Sequence, residues 1–138
     1  NRIETKNLVS LVEVLGTGSA FIPENTNTSF LLLNGKILVD CGYNVFQKLT
    51  RDYKRQLDEE LRYVFVTHGH DDHIGSLQTL IYYNEFIRQS PLTVYLPYSV
   101  FVYNFYNFIR NGKLDPATNA TIPFEYTNFR ILIHEVIN

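Results

Sequence analysis

Tyr63-Val64-Phe65-Val66 runs directly into Thr67-His68-Gly69-His70-Asp71-Asp72-His73-Ile74-Gly75, and this stretch decides how the rest of the chain is read. The apolar run, rich in β-branched and aromatic residues, predicts a strand. It ends on a loop that holds three of the chain's four histidines within six residues. Imidazole and carboxylate are the usual ligands of zinc and other borderline divalent metals, so a cluster this dense points to a metal site. On an extended segment His68 and His70 project to one side, as i and i+2 residues do, and can chelate one ion together. Asp72 and His73 follow as the chain turns into a helix, within reach of a second ion. Two divalent ions about 3.5–4 Å apart share a water, lower its pKa and clamp the attacking and leaving oxygens of a hydrolytic displacement. A zinc site that only staples the fold is the bland alternative. Such sites draw on cysteine thiolates, and Cys41 is the only cysteine.

Upstream, Leu8-Val9-Ser10-Leu11-Val12-Glu13-Val14-Leu15 reads as a strand entering the glycine loop Gly16-Thr17-Gly18-Ser19, which continues past Pro23 to Thr28. Ser29 to Leu33 and Lys36 to Asp40 flank Asn34-Gly35, a pair that accepts the positive φ angles of a type I′ hairpin turn. Val45, Phe46, Leu49 and Tyr53 recur at helical spacing and predict an amphipathic helix over residues 43–55. Its polar side carries Lys48, Arg51, Lys54 and Arg55, which read as a solvated face before a phosphate-binding patch.

Downstream, Leu77, Leu80, Ile81, Asn84, Phe86 and Ile87 predict a helix to Gln89, stopped by Ser90-Pro91. Leu92 to Leu96 is a strand closed by Pro97. Ser99 is placed to cap a helix through Arg110, with Asn111-Gly112 as its stop. That helix holds Phe101, Tyr103, Phe105, Tyr106 and Phe108, and aromatics at helical spacing read as core before a stacking or partner surface. Residues 113–127 read as loop, from Asp115-Pro116 and Ile122-Pro123, and a last strand covers Phe129 to Ile137. Strands alternating with helices, without repeat or linker, predict one α/β layered domain over residues 1–138.

A chain of 138 residues that is 45% hydrophobic can bury one sizeable core. The net charge of -2 and pI near 6.1 give no global pull toward nucleic acid or anionic membrane. The lone cysteine excludes an internal disulfide and fits a reducing compartment, so a cytoplasmic protein is expected. No apolar run reaches the roughly 18 residues of a membrane span, and residues 1–6 lack the apolar core of a signal peptide. The chain opens on Asn1 and closes inside the apolar run Ile131 to Ile137, from which we expect it to be a piece of something longer.

His68, His70, Asp72 and His73 meet the His-x-His-x-Asp-His signature of the metallo-β-lactamase superfamily, which this chain resembles. Leu15-Gly16-Thr17-Gly18-Ser19-Ala20, Asn27-Thr28-Ser29-Phe30-Leu31-Leu32 and Ile37-Leu38-Val39-Asp40-Cys41-Gly42 look like the opening strands of the branch containing ribonuclease Z and related phosphodiesterases. The likeness covers roughly the first 90 residues. One departure is Asp71, which stands where that branch usually has glycine; hydrolases of wider substrate range share the His-Gly-His-Asp-Asp-His form. The resemblance implies an αββα sandwich of two similar halves, of which this chain looks like the N-terminal half. It implies that His68 and His70 bind a first zinc ion and Asp72 and His73 a second, with manganese or iron as alternative metals. Asp72 would also orient or deprotonate the attacking water. Asp40 is either a support for the site or a turn former at a strand end.

The resemblance also implies a third histidine for the first metal, a bridging aspartate and a late histidine, all on the second half. His134 is the one later histidine, but its neighbours place it inside a strand, and a ligand beyond Asn138 is the stronger expectation. Asp115, in an Asp-Pro turn, is the weaker candidate for the bridge. The function that follows is a binuclear zinc hydrolase of phosphodiesters, with RNA as a candidate substrate, and a hydrolase of esters, thioesters or lactams as runner-up. From another class, the chain is a non-catalytic partner module that forms a homodimer or pairs with a complementary C-terminal segment. No membrane partner is expected.

Overall fold

The computed structural model describes residues 11–18, 25–102, 113–115, 120–122 and 128–134. In chain order the elements are β1 (Val12–Gly16), β2 (Ser29–Leu32), β3 (Ile37–Val39), α1 (Val45–Asp52), β4 (Tyr63–Phe65), α2 (Asp71–Ile74), α3 (Leu77–Tyr83), β5 (Leu92–Pro97), α4 (Tyr98–Val100), β6 (Lys113–Asp115), β7 (Ala120–Ile122) and β8 (Phe129–His134). The strands form one sheet in the order β1-β2-β3-β4-β5-β8-β7-β6. The centre, β3-β4-β5-β8, is parallel, and the flanking pairs are antiparallel. Parallel neighbours need crossovers: α1 carries the chain from β3 to β4, and α2 with α3 carries it from β4 to β5.

One face of the sheet packs on the helices. Leu38, Val64, Val94 and Ile131 are fully buried there against Val45, Leu49, Leu77, Leu80 and Ile81. Each such side chain contributes about 1.5–3 kcal/mol relative to an exposed one. The opposite face follows from the period of two along each strand. Cross-strand partners Val14, Phe30, Val39, Phe65, Tyr95 and Leu132 form one continuous apolar row. Among them Val14 is 53% and Phe65 38% exposed, so the described residues leave this face open.

Several expectations are corrected in detail. The hairpin turn is a four-residue loop, Leu33 to Lys36, two residues longer than an Asn-Gly turn, because Leu32 pairs with Ile37; Leu33, Asn34 and Gly35 take positive φ. The helix starts at Tyr98, not after Ser99, and Pro97 occupies its cap without a side-chain hydrogen bond. Residues 113–115 and 120–122, read as loop, are paired antiparallel strands. The α3 helix runs into a π-helical turn over Asn84–Arg88, and Gln89, at φ 54°, ends it before Ser90-Pro91. The aromatic positions 103–110, residues 1–10 and residues 135–138 lie outside the described residues. No helix among the described residues is long and apolar enough to cross a membrane.

Candidate metal centre

The histidine cluster leaves the carboxyl end of β4, where the sheet is parallel and flanked by β3 and β5. Val66 N–H donates to the Tyr95 carbonyl at 2.9 Å, and the chain then departs from the sheet. His70 caps α2, with Asp71 and Asp72 in the first turn, where backbone N–H groups favour carboxylates. The loop after β3 grips this turn: Cys41 N–H donates to the His73 carbonyl at 2.8 Å, and Ser76 N–H to the Cys41 carbonyl at 3.2 Å. Gly42 permits the approach, since a Cβ there would stand 2.3 Å from the Asp72 carbonyl oxygen.

The rings of His68 and His70 lie 4.7 Å apart, and those of His68 and His73 3.9 Å apart. His68 and His70 are exposed, while Asp72 and His73 are half-buried. Burial first, then the neighbouring His73 and His70, holds the His68 imidazole below its ordinary pKa, which favours the neutral form that ligates. Asp72 Oδ2 stands 3.5 Å from His73 Nε2. Zinc–ligand bonds of about 2.0–2.2 Å at a tetrahedral angle separate two donors by about 3.4 Å, so this pair suits one ion. In kind the donors fit a divalent metal. They do not close around one: among the described residues no group of three His, Cys, Asp or Glu side chains is disposed to hold a metal ion.

Asp40 both turns and supports. Its φ of 63° is left-handed, and its carboxylate is buried at 3% exposure. Oδ1 accepts from the Thr67 backbone N–H at 2.7 Å. Oδ2 accepts from the Thr67 hydroxyl at 2.7 Å and faces His73 Nδ1 at 2.6 Å. Ser29 Oγ fixes the backbone from the other side by donating to the Asp40 carbonyl at 2.8 Å.

His134 ends β8, and its Nε2 donates to the Val66 carbonyl at 2.9 Å. Its ring stacks on Phe65 at 4.4 Å. That nitrogen is therefore committed to the fold. Asp115 ends β6, and its side chain lies outside the described residues. On α1, Lys48 pairs with Asp52 at 2.7 Å; just beyond it, Lys54 pairs with Asp58 at 3.0 Å and Arg55 with Glu60 at 3.4 Å. Arg51 also lies 3.4 Å from Asp52, which supports the solvated-face reading. Thr67 and Ser76 carried no signal at the sequence level. Ser76 Oγ donates to the Gly42 carbonyl and accepts from Phe46 N–H at 3.1 Å, tying α1 to the site's loop.

A sheet with helices on one face, and a His-x-His-x-Asp-His loop at the carboxyl end of its parallel strands, defines the metallo-β-lactamase fold. Solved structures of that fold superpose. YhfI from Bacillus subtilis gives a TM-score of 0.63 at 20% identity, over 90% of this chain and 45% of that one. The short form of human tRNase Z, ELAC1, gives 0.59 at 21% identity, over 92% of this chain and 44% of that one. The chain belongs to the Anti-Pycsar protein Apyc1 family, whose model matches residues 11–129. Anti-Pycsar protein Apyc1 of Bacillus phage vB_BveM-Goe7 is 43% identical over 77 residues, 54% of this chain and 29% of that protein. Zinc phosphodiesterase ELAC protein 2 of Rattus norvegicus is 38% identical over 78 residues, 51% of this chain and 9% of that protein. These matches span less than half the length of each relative. The family differs in name from the ribonuclease Z branch that the opening strands resemble, while a zinc phosphodiesterase, ELAC protein 2, is also similar to this chain.

Proposed function

We propose that the whole protein is a metal-dependent hydrolase of a phosphodiester bond, with a small cyclic nucleotide as the first substrate class and RNA as the second. The observation that carries it is the cluster itself: the His68 ring lies 4.7 Å from that of His70 and 3.9 Å from that of His73, and Asp72 is set beside His73 Nε2. A small substrate is placed first because the net charge is -2 and the cations on and just after α1 are already paired with carboxylates. Membership of a family other than the RNA-processing one points the same way.

His68 and His70 would hold one ion and Asp72 with His73 another, zinc before manganese or iron. Bound there, such ions supply Lewis acidity at a phosphoryl oxygen and a lowered pKa for the attacking water. With such ions bound, the Asp72 carboxylate would orient that water or take its proton. Asp40 holds the His73 ring through Nδ1, which leaves Nε2 toward Asp72. The remaining ligands come from outside the described residues.

The test is hydrolysis by the whole protein of a 3′,5′-cyclic nucleotide, bis(p-nitrophenyl) phosphate, RNA and a p-nitrophenyl ester. His68→Ala and Asp72→Ala serve as controls. Cyclic phosphodiester turnover that falls about 10²-fold or more in both variants is expected. Turnover untouched by both changes sinks the proposal, and activity confined to the ester moves it to the runner-up class.

A second reading has its own observation. The open apolar row from Val14 to Leu132 favours a chain that pairs with a complementary sheet, whether a C-terminal segment or a second copy. In that reading this chain contributes ligands without turning over substrate alone.

A further inference from the structure

Thr67 stands directly before His68, and its hydroxyl is placed between two groups of the site. Oγ1 is 2.7 Å from Asp40 Oδ2 and 3.0 Å from His68 Nδ1. Its backbone N–H also donates to Asp40 Oδ1 at 2.7 Å, so the residue is clamped at two points by one carboxylate. As a β-branched residue it has few χ1 alternatives by which the hydroxyl could swing away.

A hydroxyl carries one proton, and a carboxylate oxygen can only accept. The Thr67 proton therefore goes to Asp40 Oδ2, and the contact with His68 must run from Nδ1–H to Oγ1. In a neutral imidazole that leaves the lone pair on Nε2. The same carboxylate oxygen receives Nδ1–H of His73 at 2.6 Å, with the same result for that ring.

We propose that Thr67 is a positioning residue that extends the grip of Asp40 to His68, so that one buried carboxylate sets both imidazoles with Nδ1 protonated and Nε2 open. The inference rests on the reading of His68 and His73 as ligands, but its first readout needs no metal. Orienting partners of this kind are worth about 10–100-fold in metal affinity.

The experiment is long-range ¹H–¹⁵N NMR of the histidine rings in the metal-free whole protein, comparing the parent with Thr67→Val and Thr67→Ser, followed by titration with Zn²⁺. In Thr67→Val, His68 is expected to lose its Nδ1–H preference while His73, still held by Asp40, keeps it; zinc affinity falls about 10–100-fold. Thr67→Ser, which retains the hydroxyl, keeps the His68 tautomer and holds affinity within a few-fold. Should Thr67→Val not fold, Thr67→Ala is read in its place. An unchanged His68 tautomer in the hydroxyl-free variant overturns the proposal, as does a change of His68 and His73 together. A parent protein that takes up no zinc would contradict the proposed function, while the ring tautomers still decide the role of Thr67.

Discussion

Asp40 Oδ2 lies 2.6 Å from Nδ1 of His73, across 33 residues of chain, and it does so from a buried backbone position at φ 63°. Strain and burial at one residue thus coincide with the contact that aims a candidate ligand.

Substitution at Asp40 separates these roles. Asn tolerates the left-handed backbone, but its NH₂ competes for the His73 nitrogen. Asp40→Asn is expected to stay folded and to lose about 10–100-fold in zinc affinity, measured by competition with a chromophoric chelator. Asp40→Ala leaves Thr67 N–H and His73 Nδ1 without their acceptor. It should in addition cost about 1–3 kcal/mol per group in urea unfolding.

Gly42 lets two backbones meet. An added Cβ would come within 2.3 Å of the Asp72 carbonyl oxygen and 2.4 Å of Asn27 Oδ1. Gly42→Ala is expected to destabilise by about 1–3 kcal/mol, the usual range for overpacking. Because the displaced atoms belong to Asp72, metal affinity should fall as well. An unchanged urea midpoint would show that the loop yields freely.

Cys41 is wholly buried, and burial, only partly offset by its Ser76 contact at 3.3 Å, pushes its thiol up to about 12. Native protein at pH 8 should therefore react with Ellman's reagent only as it unfolds, with full reactivity in urea. The sign for stability follows: a folded pKa above the unfolded value binds the proton more tightly in the native state. Its contribution is present below about pH 8.5 and is lost as pH rises toward 12. Cys41→Ala should flatten that alkaline loss.

The open row of Val14, Phe65 and their cross-strand partners invites association. The 138-residue chain at micromolar concentration should elute in light-scattering chromatography heavier than 16.1 kDa. Phe65→Lys should shift it toward monomer, and a parent chain already monodisperse at that mass would argue against pairing through this face.

The layered fold was legible because its strands are short aliphatic runs bounded by Gly, Pro and Asn, a local signal. Leu92 to Pro97 and Phe129 to His134 appear where those runs fall. The Lys113–Asp115 and Ala120–Ile122 strands were not legible, although Lys113 pairs locally with Ile122 and Thr121 with Ile131, since Asp115-Pro116 and Ile122-Pro123 read as breakers. The turns at Gln56–Glu60 and Asn84–Arg88 take π geometry, and both carry ties to distant chain: Arg88 Nε donates to the Asp58 carbonyl at 3.2 Å, and Asn128 N–H to Glu85 Oε2 at 3.0 Å. At the site, histidines and aspartates announce themselves by spacing. Thr67 does not, because its importance lies in a contact with Asp40, 27 positions away, which no local pattern encodes.

The most direct measurement is zinc bound per chain in the whole protein by mass spectrometry of metals, for the parent, His68→Ala and Asp72→Ala, each checked for folding by circular dichroism. About two zinc ions in the parent, with a clear loss in each folded variant, is the expected result. Equal metal content in all three, or none in a folded parent, would contradict the assignment of His68, His70, Asp72 and His73 as the ligands this chain supplies.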